Sequence, residues 1–200
     1  MSIALIDYGA GNLHSVHNAL KAAGASGLAI TADPQAVARA DRIVLPGVGA
    51  FAACMSGLAA IPGMVDALEQ RVLREGAPFL GVCVGMQLMA ERGEELGGHA
   101  GLGWISGTVR HLPPSPEIRV PHMGWNDVVP VRPHPLIEPG EAYFLHSYAF
   151  EGDGVIARTD HAGPVTAAIG RDTIVGVQFH PEKSQRFGLD LLARFLEWRP

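Results

Sequence analysis

The residues best suited to chemistry lie in two short stretches, Gly81-Val82-Cys83-Val84-Gly85 and His180-Pro181-Glu182. The first ends an apolar run, Pro78-Phe79-Leu80, and reads as a strand, a sharp turn and a helix continuing through Met86-Gln87-Leu88-Met89-Ala90-Glu91. In such a turn the central residue has strained backbone geometry, its side chain stands at the top of a sheet, and the flanking glycines avoid clashes. Here that residue is Cys83. The amide of Val84 and the first helical turn then lie beside the sulfur, where partial positive charge favours a thiolate and stabilises an oxyanion. A small residue between glycines at a strand end is also ordinary packing, so the elbow needs a second group to give it meaning.

His180 supplies one. It follows the apolar stretch Gly176-Val177-Gln178-Phe179 and has a carboxylate, Glu182, two residues on. An unassisted thiol with a pKa of about 8.5 is only about 3% thiolate at pH 7, so nucleophilic catalysis by cysteine calls for a base. His180 can take the thiol proton, and Glu182 can hold the imidazole in one tautomer and favour its charged form. Read alone, His180 is more simply a histidine in a capped turn, so it is judged together with Cys83.

Other stretches can serve the same site. Pro46-Gly47-Val48-Gly49 ends a strand with two glycines, and its backbone N–H groups can line an oxyanion hole or form a tight connector. Gln87, on the elbow helix, and Glu95, in the loop after it, can reach the site, where an anionic group suits a substrate ammonium; a solvated helix face is the alternative. His122 and His146 can line a cleft or satisfy hydrogen bonds within a β-rich region. Neither their surroundings nor the pair Cys54 and Cys83 shows metal-ligand spacing, so no metal and no cofactor is expected.

The elements that position these residues alternate. Apolar runs at Ile3–Ile6, Leu28–Thr31 and Arg42–Leu45, and the run from Pro78 that ends at Cys83, read as strands. Between them come helices with Leu13, Val16 and Leu20 on one face, capped by Asn12 and stopped by Gly24; after Asp33-Pro34; and over 51–60 and 64–75. This is an α/β pattern, an open, mostly parallel, doubly wound sheet with a nucleophile elbow. After Gly97-Gly98 an additional β-rich portion fills the C-terminal half, with strands over 104–112, 127–131, 142–150, 155–159, 165–170 and 173–179. Pro113-Pro114-Ser115-Pro116 reads as a stiff loop. A closing helix carries Phe187, Leu191, Phe195 and Trp198 on one face. Neither linker nor repeat interrupts the chain, so residues 1–200 read as a single domain.

Composition excludes several function classes. Apolar residues make up 48% and charged residues 18% of 200, which suits a compact fold and not a disordered one. A net charge of −5 with no Lys/Arg run argues against nucleic acid. No stretch reaches the roughly 18 apolar residues of a membrane span, and the first residues lack a signal peptide's basic start, so the cytoplasm is the expected location.

Six motifs, in order, resemble one family: Asp7-Tyr8-Gly9-Ala10-Gly11-Asn12, Leu45-Pro46-Gly47-Val48-Gly49-Ala50-Phe51, Gly81 to Leu88, Pro121-His122-Met123-Gly124-Trp125-Asn126, Tyr143-Phe144-Leu145-His146-Ser147-Tyr148 and Gly176 to Ser184. The chain is similar to the class I, or triad, glutamine amidotransferases over nearly its whole length. It resembles most the glutaminase subunits of imidazole glycerol phosphate synthase. The resemblance implies that Cys83 attacks the side-chain amide of glutamine, His180 shuttles the proton and Glu182 orients it. It also implies an oxyanion hole from the backbone of Val48, Gly49 and Val84, and glutamine binding by Gln87, Glu95, Ser147 and Tyr148. Ammonia would pass to a (β/α)8-barrel cyclase in a heterodimer, with Tyr143 and Lys183 at the interface. Another biosynthetic glutaminase subunit and a non-catalytic regulatory domain are the alternatives, and the Pro121 to Asn126 motif and the complete Cys-His-Glu set argue against them.

Overall fold

A computed structural model describes residues 1–113 and 119–200, so Pro114, Ser115 and Pro116 of the expected stiff loop lie outside the described residues. In chain order the elements are β1 (Ile3–Ile6), α1 (Leu13–Ala22), β2 (Leu28–Thr31), α2 (Pro34–Ala38), β3 (Arg42–Gly47), α3 (Phe51–Ala59), α4 (Met64–Leu68), a π-helical stretch Glu69–Arg74, β4 (Phe79–Cys83) and α5 (Val84–Gln87). Then follow β5 (Ala90–Gly93), β6 (His99–Ala100), β7 (Ile105–His111), β8 (His122–Pro130), β9 (Gly140–His146), β10 (Tyr148–Gly152), β11 (Val155–Asp160), β12 (Pro164–Arg171), β13 (Ile174–Val177), a 3₁₀ turn Pro181–Lys183 and α6 (Gln185–Glu197).

One nine-stranded sheet, in the order β2-β1-β3-β4-β13-β12-β11-β8-β9, carries the fold. Its β2 to β13 half is parallel, and from β13 to β9 every pairing is antiparallel. The α/β and β-rich halves read from the sequence are therefore one continuous surface. Strands β1, β3, β4 and β13 are buried along their whole length, as expected of parallel strands covered on both faces, and this explains their unbroken apolar runs. Around them α1 packs against α6, while α2 and α3 pack against α4. A second sheet, β10-β7-β5-β6, is tied to the first where the Phe79 and Trp104 rings meet edge to face, 4.9 Å apart. Among the described residues no single helix is long and apolar enough to cross a membrane.

Several local expectations change. The elbow helix stops after one turn instead of running to Glu91, because Met89 O accepts from the amides of Trp104 and Ile105, and Ala90 O from that of Gly103. Leu88, Met89 and Ala90 are fully buried, so this segment has no solvent face for a helix and becomes the start of β5. Asn12 precedes α1 without a side-chain cap bond, whereas Asp33 caps α2 through the amide of Gln35. The apolar run 142–150 is not one strand: at Ser147 the chain leaves β9 for β10 in the other sheet, and Ser147 O accepts from the amide of Leu112. Strand β8 begins at His122, five residues before the apolar signal.

That longer β8 places His122 opposite His146 on β9. The pair belongs to a chain of hydrogen bonds whose direction the fixed groups dictate. Asn126 Oδ1 accepts from the amide of Asp127 and its Nδ2 donates to Asp160 O, so Nδ2 faces His122 Nε2 at 3.1 Å as a donor. His122 Nδ1 then lies 3.0 Å from His146 Nε2, and His146 Nδ1, 2.9 Å from Tyr148 O, must carry a proton because a carbonyl only accepts. Hence His146 Nε2 accepts and His122 Nδ1 donates. Burial, reinforced by the neighbouring His146 and His161, pushes the His122 pKa down to about 3. Burial lowers His146 to about 4, against the pull of its bond to Tyr148 O. Nitrogen NMR of the rings should show both as neutral Nδ1–H tautomers at about pH 5.5, a full unit below the ordinary histidine pKa. Charging of either ring between about pH 6 and 7 would contradict this wiring.

Candidate active site

The site is built around the end of β4. Cys83 has φ 54° and ψ −113°, a backbone conformation unusual for a side-chain-bearing residue, and the adjoining glycines make it possible. A Cβ on Gly81 would stand 2.7 Å from Gly85 O, one on Gly47 would stand 2.6 Å from Gly85 N, and one on Gly85 would run into Leu45 O. The chain therefore turns through α5 in direct backbone contact with β3. The amide of Val84, first in α5, has no intrahelical acceptor and is free to receive an acceptor beside the sulfur.

His180 comes from the other neighbour of β4. Strand β13 runs parallel to β4 with Val177 opposite Val82, which brings Gln178 and His180 to the level of Cys83. His180 Nδ1 is 2.8 Å from Glu182 Oε1, with both side chains almost completely buried. Burial works against a charged ring, but hydrogen bonds with the Cys83 sulfur and Glu182, together with the charges of both, outweigh it and push the His180 pKa up to about 9. With Nδ1 engaged by the carboxylate, Nε2 is the nitrogen left for the sulfur, and at neutral pH the ring is an imidazolium.

A cleft of about 290 Å3 opens over these groups, lined by Val48, Gly49, Cys83, Val84, Gln87, Glu95, Ser147, Tyr148, His180 and Lys183, with Pro121, Leu145 and His146 completing the wall. Every residue singled out from the sequence for catalysis, oxyanion binding or substrate binding, apart from the carboxylate behind His180, thus lines one cavity. Gln87 is buried and not on a solvated helix face. Its Nε2 donates to Tyr148 O and to Gln178 Oε1, both at 3.0 Å, so its Oε1 is what it can offer a ligand. Glu95 Oε2 accepts from the amide of Phe51 at 2.8 Å, tying the β5–β6 loop to the start of α3.

The Val48–Gly49 segment is held from below. The Cys54 thiol donates to Val48 O at 3.3 Å, and because the peptide is trans, the N–H of Gly49 points away from that buried side. The Tyr8 hydroxyl donates to Pro46 O at 2.7 Å; burial, with Cys54 and Cys83 nearby, raises its pKa and keeps it a donor. Both cysteines are free. Tyr8 and Gln178 escaped the sequence reading; Gln178 lies in the bend just after β13 and is completely buried.

A surface feature also went unread. On β8, Met123, Trp125 and Val129 are exposed, and alternation puts them on the face opposite His122 and Asn126. Trp125 faces Tyr143 across the strand pair, rings 6.2 Å apart. Lys183 Nζ in turn sits 5.7 Å from the centre of the Tyr143 ring. An apolar strip thus runs to the rim of the cleft.

Among known proteins, the family described as glutamine amidotransferase class-I matches residues 4–198. The imidazole glycerol phosphate synthase subunit HisH of Zymomonas mobilis is 61% identical, covering 100% of this chain and 97% of the relative. The protein of the same name from Rhodopseudomonas palustris is 52% identical, with both chains fully covered. A crystal structure of a glutamine amidotransferase superposes with a TM-score of 0.76 at 18% identity, covering 98% of each chain. The acivicin-bound glutaminase domain of Trypanosoma brucei CTPS gives 0.64 at 18%, covering 100% of this chain and 95% of that one. The structural likenesses speak for the fold and the full-length identities for the family: this chain belongs to the class-I glutamine amidotransferases, among the HisH subunits of imidazole glycerol phosphate synthase.

Proposed function

We propose that the chain, acting as one domain, hydrolyses glutamine to glutamate and ammonia at Cys83 and passes the ammonia to a (β/α)8-barrel cyclase. That partner makes imidazole glycerol phosphate and an aminoimidazole carboxamide ribotide in histidine biosynthesis, and the setting is the cytoplasm. The observation that carries this reading is a histidine, His180, whose Nδ1 is held 2.8 Å from a buried carboxylate and which lines the same cleft as the cysteine of the elbow. The cleft above it has room for an amino acid.

The geometry supports a two-stage reaction. The Cys83 thiolate attacks the side-chain amide carbon of glutamine, and the carbonyl π electrons move to oxygen. The resulting oxyanion is stabilised by the amide of Val84 and a peptide of the Val48-Gly49 loop; one such donor contributes about 2.7–4 kcal/mol to lowering a barrier of this kind. His180 gives its Nε2 proton to the departing nitrogen, which leaves as ammonia when the C–N bond breaks, and a γ-glutamyl thioester remains. The now neutral ring accepts a proton from water as the water attacks the thioester, and collapse releases glutamate and regenerates the thiolate–imidazolium pair. Glu182 keeps Nδ1–H fixed throughout and favours the charged ring. The Oε1 of Gln87, the carboxylate of Glu95 and the backbone at Ser147 and Tyr148 suit the ammonium and carboxylate of the substrate's amino-acid end.

The strip of Met123, Trp125 and Tyr143 leading to Lys183 supports docking of the cyclase beside the cleft, because an exposed apolar row on a strand that already has both neighbours in the sheet is covered most readily by another protein. Trp125 is its largest element, and buried tryptophans commonly dominate interfaces. Trp125→Ala should weaken association with the cyclase by about 10-fold or more, read by titration calorimetry, while leaving the melting temperature of the isolated chain nearly unchanged; unaltered affinity would remove this face from the interface. The catalytic assignment is tested by Cys83→Ala in the assembled enzyme. Synthesis from glutamine should vanish while synthesis from added ammonia persists, because only the nitrogen source depends on Cys83. Equal loss in both assays would mean that the residue supports the assembly and not amide hydrolysis.

A further inference from the structure

The completely buried Gln178 touches the reacting sulfur without belonging to the Cys-His-Glu set. Its Nε2 lies 3.7 Å from Cys83 Sγ and its Oε1 3.0 Å from Gln87 Nε2. The orientation of this amide follows from its neighbours. Tyr148 O can only accept, so the Gln87 atom facing it is the NH2 group. That NH2 group also faces Gln178, which must therefore present its oxygen there, leaving its own NH2 group for Cys83. Tyr148 O is pinned in turn by the Nδ1–H of His146. The hydrogen bonds from Asn126 through His122 and His146 thus end, by way of Tyr148 O and Gln87, in an N–H fixed on the nucleophile.

We propose that Gln178 is a positioning residue for the nucleophile: its side-chain N–H donates to Cys83 Sγ and holds the thiolate in one orientation, so that His180 is left free to move its proton. When His180 gives up its proton to the leaving nitrogen, a second donor is needed only on a sulfur that has regained or not yet spent its charge. An N–H that has no proton to lose fits that need, since it stabilises the thiolate before attack and after thioester collapse without competing for the proton. Hydrogen bonds to charged groups are about twice as strong as neutral ones, which makes this contact matter most in the thiolate state.

The proposal rests on Cys83 being the nucleophile, and the test separates the two ideas by comparing two substitutions. Gln178→Met has similar length but loses both the donor to Cys83 and the acceptor for Gln87. Gln178→Glu keeps the shape and the acceptor and replaces the donor with a second oxygen facing sulfur. Steady-state glutamine hydrolysis is measured on the full chain with its cyclase subunit, alongside the rate at which iodoacetamide alkylates Cys83, read by peptide mass. A donor role predicts that kcat falls about 10- to 100-fold in Gln178→Met with KM within about threefold, and falls further in Gln178→Glu, with Cys83 alkylation slowed in the same order. If Gln178 only accepts from Gln87, Gln178→Glu is close to wild type and Gln178→Met is the impaired one, which would overturn the proposal. Wild-type kcat in both would overturn it as well. An active Cys83→Ala enzyme would instead sink the underlying nucleophile assignment, whatever the Gln178 variants do.

Discussion

Everything in the site hangs on the backbone contact between β3 and the turn that follows β4. Cys83 occupies a positive-φ conformation of the kind that costs roughly 1–3 kcal/mol and persists only where the surroundings over-determine it. Here the surroundings are three glycines whose missing side chains let Gly85 lie against Leu45 and Gly47. Once the turn is fixed there, the rest is placed by strand order. The β3 neighbour delivers Val48 and Gly49 to one side of the sulfur, and the β13 neighbour delivers Gln178 and His180 to the other. The ends of adjacent parallel strands are where an open α/β sheet concentrates its chemistry, because only there do side chains from neighbouring strands converge.

Burial then decides the electrostatics. His180 and Glu182 are both taken out of water, where an isolated charge of either sign would be heavily penalised. Each makes the other tolerable, and the Cys83 sulfur adds to the preference for the imidazolium. Among the described residues Glu182 Oε2 is buried with no hydrogen-bond partner, so the carboxylate depends on the contact of its Oε1 with His180 for compensation. The opposite outcome holds a short distance away. His122 and His146 are equally buried but face each other, the Asn126 amide and the Tyr148 carbonyl, none of them charged, so desolvation wins and both stay neutral. These histidines thus take opposite charge states according to whether Nδ1 meets a carboxylate, as in His180, or an uncharged acceptor, as in His122 and His146.

Much of this was legible in the residues. The elbow glycines, the carboxylate two residues after His180 and the alternation of apolar runs with helices could all be read locally, and all three recur in the structure. What was lost depended on contacts remote in sequence. The elbow helix is cut short by amides from residues 103–105, which no local pattern around Leu88 announces. The break at Ser147 is invisible because both halves of the 142–150 run are apolar and only their partners differ. Strand β8 starts early because His122 is satisfied by His146, a polar pair that hydrophobic alternation does not register. Gln178 went unnoticed because a buried glutamine announces itself only when its acceptor Cys83 and its donor Gln87 are in view.

The central claim is that the sulfur at this elbow forms a covalent bond with the side-chain carbon of glutamine. The most direct measurement is the intact mass of the assembled enzyme quenched in acid during turnover, followed by peptide mapping. The account predicts a species heavier by one γ-glutamyl group, located on the peptide containing Cys83 and absent from Cys83→Ser. Steady turnover with no acylated protein at any quench time, or acylation found on Cys54, would contradict it.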